Sequence, residues 1–238
     1  MIKVEIVNCL KDNFSYIIHN NDEAIVIDPS ESRPIDQLLE KLKLKLKYIL
    51  NTHHHLDHVD GNLSLKEKYN CKIIGFEDDS KKIPGIDICL KNEEIFSEKN
   101  FKFKVYHTPG HTLGHICYHF FEEKKLFTGD TLFSLSCGRL FEGTYEDMYK
   151  SLSLIKTFDK DTLIYFGHEY TLSNSKFCIN YDPNNENLKK KILEISKNIK
   201  AGIPTTPSVL KDELECNIFL KAKNIETFAK LRDLKDNF

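Results

Sequence analysis

Residues 51 to 61 read NTHHHLDHVDG, and no other stretch narrows the choice of fold as far as the frame HxHxDH inside it, His53 to His58. Burying four such side chains without a cation would leave polar groups unpaired. His53 and His55 are two apart, so on extended backbone they point to one side and His54 to the other. His54 is therefore not expected to be a ligand. Asp57 and His58 fall at the turn into a helix starting near Gly61, where a chain reversal aims both side chains back towards the same cavity.

Three more ligand types stand after expected strands: His111 in HTPGHTLGH, Asp130 in LFTGDTLF and His168 in YFGHEYT. In each a glycine directly precedes the ligand type, permitting a tight turn and close backbone approach. Seven ligands are too many for one tetrahedral ion but fit two ions that share a carboxylate. A closed, non-catalytic site would need four ligands per ion and no shared group. Imidazole and carboxylate suit zinc, iron or manganese alike.

The surrounding chain supplies strands and helices in the right order. VEIVNCL, FSYIIHN and AIVIDPS read as a hairpin and a following strand ending at Asp28-Pro29. A helix is expected from Pro34 to about Leu42, then strand KYILNTH, helix 61 to 69 and strand CKIIGF. Strands follow at 101 to 107, in ICYHFFEE and in KKLFTGD, then a helix near 145 to 158 and strand TLIYFGH. From about residue 171 the pattern is helical, with no β pattern. Two packed sheets with helices outside, residues 1–170, followed by a small helical domain, residues 171–238, are expected.

The length of 238 residues allows one sizeable core plus an appendage. A net charge of −2 gives no pull towards nucleic acid or an anionic membrane. No apolar run approaches the ~20 residues of a membrane span, and MIKVEIVNCL lacks a signal-peptide layout. The seven cysteines are odd in number and form no CxxC pair, so reduced thiols in the cytoplasm are expected, with Cys137 as a loop residue rather than a thiolate ligand.

THHHLDH together with PGHTLGH, FTGDTLF and FGHEYT resembles the metallo-β-lactamase superfamily, and SCGRLFEGT, HEYT and LRDLKDNF are similar to its glyoxalase II, or hydroxyacylglutathione hydrolase, family. The resemblance covers essentially the whole chain. It implies a four-layer αββα sandwich with a C-terminal helical domain. It also implies two divalent ions, zinc with iron or manganese as alternatives: one on His53, His55 and His111, the other on Asp57, His58 and His168, with Asp130 bridging. His115 is then expected to pack beside His111, and His19, His107 and His119 to be structural or exposed.

The implied activity is hydrolysis of S-D-lactoylglutathione to glutathione and D-lactate by a metal-bound hydroxide, with Asp57 and Asp130 catalytic. Disposal of methylglyoxal would be the wider role. Arg139, Phe141, Tyr170, Arg232 and Lys235 are implied to contact the glutathione moiety, with Phe141 standing where eukaryotic members carry a tyrosine. A monomer is expected, with no nucleic acid or membrane partner. The runner-up is a one-iron glutathione persulfide dioxygenase. A nuclease would need a basic surface that this chain lacks.

Overall fold

The computed structural model describes residues 2–238, which divide into two compact units. The first holds the residues up to His107 and Gly114–Glu123, the second Thr108–Leu113 and Lys124–Phe238.

A six-stranded sheet of β1 (Lys3–Cys9), β2 (Asn13–Asn20), β3 (Glu23–Ile27), β4 (Lys45–Leu50), β5 (Lys72–Phe76) and β6 (Ile88–Leu90), in that spatial order, organises the first unit. β1 to β3 run antiparallel, whereas β3 to β6 are parallel neighbours. Parallel neighbours need crossovers, and α1 (Ser32–Leu42) joins β3 to β4. α2 (Leu56–Val59) and α3 (Asn62–Tyr69) join β4 to β5. Ile35 and Leu39 of α1 and Leu65 of α3 pack on Ala24, Val26, Ile49 and Ile73. On the opposite face of β3, Ile25 and Ile27 are equally buried, so this strand has no wet side and reads as an unbroken apolar run. β7 (Ile95–Glu98), β8 (Phe101–His107) and β9 (Ile116–Phe120) form an antiparallel meander. It meets that opposite face through Phe96 on Tyr48, and through the Tyr118 hydroxyl, which donates to the Asn51 carbonyl at 2.8 Å.

In the second unit β10 (Lys125–Gly129) is followed by the two-residue hairpin strands β11 (Leu132–Phe133) and β12 (Ser136–Cys137). After α4 (Tyr145–Ile155), β13 (Leu163–Phe166) pairs parallel with β10. α4 begins at a capping box in which Thr144 and Asp147 exchange side-chain and backbone bonds. Then come α5 (Thr171–Tyr181), α6 (Glu186–Lys200), β14 (Ser208–Val209) antiparallel to β13, α7 (Leu210–Cys216) and α8 (Ile225–Asp236).

Several expectations need correcting. The segment after residue 171 is not wholly without β structure, since β14 lies in it; two residues are too few to show a period. Cys137 is a buried residue of β12, not a loop residue. α1 starts two residues before Pro34, which sits in its first turn where no amide proton is needed. α4 ends at Ile155 rather than 158, the chain closing instead through single turns at Thr157 and Phe158. Among the described residues no helix is long and apolar enough to cross a membrane.

Candidate metal centre

In the first unit β4 ends at Leu50 and releases Asn51 to His55 as a bend before the single turn α2. Asn51 and Asn62 exchange side-chain bonds of 2.8 and 3.2 Å, and Asn51 also donates to the His58 carbonyl, so the turn is fixed from both ends. The rings of His53 and His55 stand 4.7 Å apart, those of His53 and His58 4.3 Å. Beneath them lies Asp28, a buried carboxylate to which sequence reasoning gave no role. Its oxygens accept from the Thr52 amide (2.8 Å), the Thr52 hydroxyl (2.7 Å) and His58 Nδ1 (3.1 Å). Asp28 lies with His53 and His58 in a group whose donor atoms are within 4.8 Å of one another. With both of its oxygens accepting, it orients the histidines rather than adding a ligand. The strand AIVID ending in a lone carboxylate was its only trace in the sequence.

These bonds decide where the imidazole protons sit. A neutral imidazole has one proton. His58 commits it at Nδ1 to Asp28, and Thr52, whose hydroxyl proton goes to Asp28, receives that of His53 Nδ1 at 3.1 Å. Nε2 of each ring is left as a lone-pair donor. For His58 that nitrogen faces the Asp57 carboxylate at 3.8 Å, while Asn13 steadies Asp57 by donating to its Oδ2 at 3.0 Å.

The second unit repeats the device. Gly110, at φ +147°, is a conformation that L side chains rarely adopt, and it leads into His111. His111 Nδ1 donates to the Arg139 carbonyl at 2.8 Å, so its Nε2 lone pair points at Asp130 Oδ2, 3.4 Å away. His168 Nε2 lies 3.4 Å from the same oxygen. A lone pair facing a carboxylate is repulsive unless a cation lies between them, and nitrogen and oxygen donors of this kind fit zinc, iron or manganese. The residues present thus fit divalent metal.

Beside His111 and Asp130 a cavity of about 470 Å³ opens within the same unit, and Arg139, Phe141, Tyr170, Arg232 and Lys235 all line it. Tyr170 stacks on His168 at 4.8 Å, and Phe141 meets the His111 ring edge-on at 5.2 Å. Arg139 is 62% exposed, whereas Arg232 is only 3% exposed. Arg232 donates through Nη1 to the Cys137 carbonyl and through Nη2 to Asp236, each at 2.8 Å. The Lys235 ammonium lies over the Phe177 and Phe238 rings, and burial, then the Arg232 charge, holds its pKa below the ordinary lysine value. Arg139, Arg232 and Lys235 thus set three cations around the carboxylate of Asp236 in this part of the cavity. The Cys137 thiol is pushed up by burial, which keeps it protonated.

The remaining histidines have other duties. His54 Nδ1 bonds to Asp79 at 2.8 Å. His115, expected beside His111, stacks on the His53 ring at 4.9 Å. His19 bonds to Glu5, His107 stacks on Phe76, and burial lowers the His119 pKa to about 4.

Comparison with known proteins agrees with this chemistry. Residues 11–168 match the metallo-β-lactamase superfamily model, and residues 169–238 match that of the hydroxyacylglutathione hydrolase C-terminus. The hydroxyacylglutathione hydrolase of Pelagibacter ubique is 55% identical over 239 residues, covering 100% of both chains. That of Rhizobium etli is 41% identical, covering 100% of this chain and 99% of its own. Among solved structures, ETHE1 from Myxococcus xanthus matches with a TM-score of 0.75 at 22% identity, over 98% of this chain and 90% of its own. The BLEG-1 B3 metallo-β-lactamase matches at 0.70 and 22%, over 93% and 100%.

Proposed function

The chain belongs to the hydroxyacylglutathione hydrolases of the metallo-β-lactamase superfamily, and from that membership we propose that it cleaves S-D-lactoylglutathione to glutathione and D-lactate. Its fold is the α/β metallo-β-lactamase sandwich with a C-terminal helical extension, and it is a metal-dependent thioester hydrolase acting on glutathione thioesters. The observation that carries the reading is the cavity in which His111 and Asp130 adjoin Arg139, Arg232 and Lys235. It supports a reading in which an anionic peptide lies beside the side chains assigned to metal.

We assign His53, His55 and His111 to one ion, Asp57, His58 and His168 to the other, and Asp130 to both, with zinc as the metal. Residues 171–238 form the substrate-binding domain in this reading. Two divalent ions, when bound, acidify water from about 15.7 to about 7 and polarise a carbonyl oxygen. Asp28 and the Arg139 carbonyl hold the Nδ1 protons of His58 and His111, so both rings remain Nε2 donors through turnover. Asp57, steadied by Asn13, orients the attacking hydroxide by hydrogen bond. The hydroxide oxygen bonds to the thioester carbon, the C–S bond breaks, and the sulfur departs as a thiolate that needs no general acid. Arg139, Arg232 and Lys235 meet the carboxylates of the peptide. Tyr170 offers it a hydroxyl, and Phe141 only an apolar wall. Disposal of methylglyoxal is the corresponding role.

The one-iron dioxygenase alternative has no support from the relatives, and Asp57 and His58, which face each other at 3.8 Å, supply ligand types that a single iron would not require. Purified, metal-analysed protein mixed with S-D-lactoylglutathione should lose the thioester absorbance. Intact thioester in the presence of protein carrying two ions would refute the proposal.

A further inference from the structure

The turn between β11 and β12 is held by side chains from far along the chain. Five successive carbonyls accept such donors: Phe133 and Ser136 from Asn217, Ser134 from Asn174, Leu135 from the Cys178 thiol, and Cys137 from Arg232, at 2.8–3.4 Å. At the centre is Glu213 of α7, which is wholly buried. Its carboxylate accepts from the Ser134 hydroxyl at 2.8 Å, the Leu135 amide at 2.7 Å and the Asn217 amide at 3.2 Å. Leu135 has φ +61°, a left-handed conformation unfavourable for a non-glycine residue, which needs an outside hold. A buried carboxylate is an expensive way to gain stability alone, since its desolvation offsets much of what its bonds contribute.

What the turn delivers is the next two residues. Gly138 donates its amide to the Thr131 carbonyl at 3.2 Å and lies so close to Asp130 that an added Cβ would stand 1.9 Å from the Asp130 carbonyl oxygen. Arg139 follows, and its carbonyl fixes the Nδ1 proton of His111. A shift of the turn therefore moves the backbone of one metal-ligand residue and the ring of another. Resting on the reading of His111 and Asp130 as metal ligands, we propose that Glu213 is a positioning residue, through which the C-terminal helices set the His111 ring and the Asp130 backbone for metal binding. The helical segment then has two duties: it lines the cavity beside His111 and Asp130, and it tunes the metal site.

The test uses the holoenzyme. Glu213→Leu removes the acceptor, whereas Glu213→Gln keeps a carbonyl for the Leu135 amide and offers an NH₂ to the Ser134 hydroxyl, which can also accept. Metal affinity is read by competition with a chromophoric chelator, and kcat and KM with S-D-lactoylglutathione. Expected are metal binding roughly 10- to 100-fold weaker in Glu213→Leu and a lower kcat with KM changed by less than about threefold. Recovery of both in Glu213→Gln is expected as well. Folded Glu213→Leu with wild-type metal affinity overturns the proposal, as does a rise in KM alone. If Glu213→Leu does not fold, Asn217→Ala, which frees the Phe133 and Ser136 carbonyls, decides on the same readouts. A wild type that binds two ions but leaves the thioester intact would refute the proposed reaction while the metal affinities still decide the role of Glu213.

Discussion

Arg232 and Lys235 are three residues apart on α8 and both line the cavity beside His111 and Asp130, yet replacing each by alanine should give different results. Arg232→Ala leaves the Cys137 carbonyl buried without its donor, at a cost of about 1–3 kcal/mol. It also removes the guanidinium lying 5.2 Å over the Phe219 ring, worth about 1 kcal/mol. The ion pair with Asp236, which is 37% exposed, adds under about 1 kcal/mol after screening. The total is about 2–5 kcal/mol. With an unfolding entropy of about 0.5 kcal/mol/K for 238 residues, Tm should fall by about 4–10 °C. Lys235→Ala loses ring contacts worth about 0.5–1 kcal/mol but also relieves a buried ammonium, so its Tm should move by less than about 2 °C. Its effect should appear in KM for S-D-lactoylglutathione, raised roughly 10- to 100-fold by loss of one charge-assisted hydrogen bond. Far-UV circular dichroism melts beside steady-state kinetics separate the two variants. Arg232→Ala melting like wild type, or Lys235→Ala losing as much stability as Arg232→Ala, would refute the reading in which Arg232, besides meeting the peptide, clamps the Cys137 carbonyl while Lys235 acts through substrate contact alone.

Asp28→Ala should weaken metal binding roughly 10- to 100-fold by releasing Thr52 and the Nδ1 proton of His58, measured by chelator competition; unchanged affinity would show that the histidines orient themselves. Lys235 has a folded pKa below the ordinary 10.5, so between the two values the unfolded chain binds more protons and stability rises with pH, the burial cost being fully present below the folded pKa. Over that same window KM for the anionic thioester should climb as the ammonium deprotonates, and a pH profile of Lys235→Ala that keeps this limb would assign it to another group.

The parts of the fold and site that the sequence made legible are those whose signal is local. β3 and β5 are short apolar runs bounded by turns, and the HxHxDH frame lies on consecutive residues just after a strand, so spacing alone exposes it. α5 falls under the general helical expectation from residue 171, but its bounds are hidden because its buried face includes Thr171, Asn174 and Ser175 beside Phe177 and Cys178, which leaves no apolar stripe to detect. β11, β12 and β14 have two residues each, and pairing across the chain, not composition, makes them strands. The helical spacing of Arg232 and Lys235 places both on one face, but nothing near them in sequence says that one lies under Cys137 and the other over Phe177.

The same division separates the side chains assigned to metal from those that hold them in place. Ligand types are conspicuous because they cluster, whereas the orienting residues are single carboxylates in unremarkable surroundings. Asp28 gathers Thr52 and His58 from 24 and 30 residues away, Glu213 gathers Ser134 and Leu135 from 79 and 78, and Asp236 receives Arg139 and Arg232. A carboxylate is suited to this work because it is acceptor-only and takes several donors at once, which fixes where each proton lies. Asp28 does this for His58 directly; Glu213 does it for His111 through a turn and one carbonyl. Which nitrogen of His58 and of His111 is left to meet a cation is therefore decided by residues that carry no metal-ligand signature in the sequence, and only the folded chain brings them into reach.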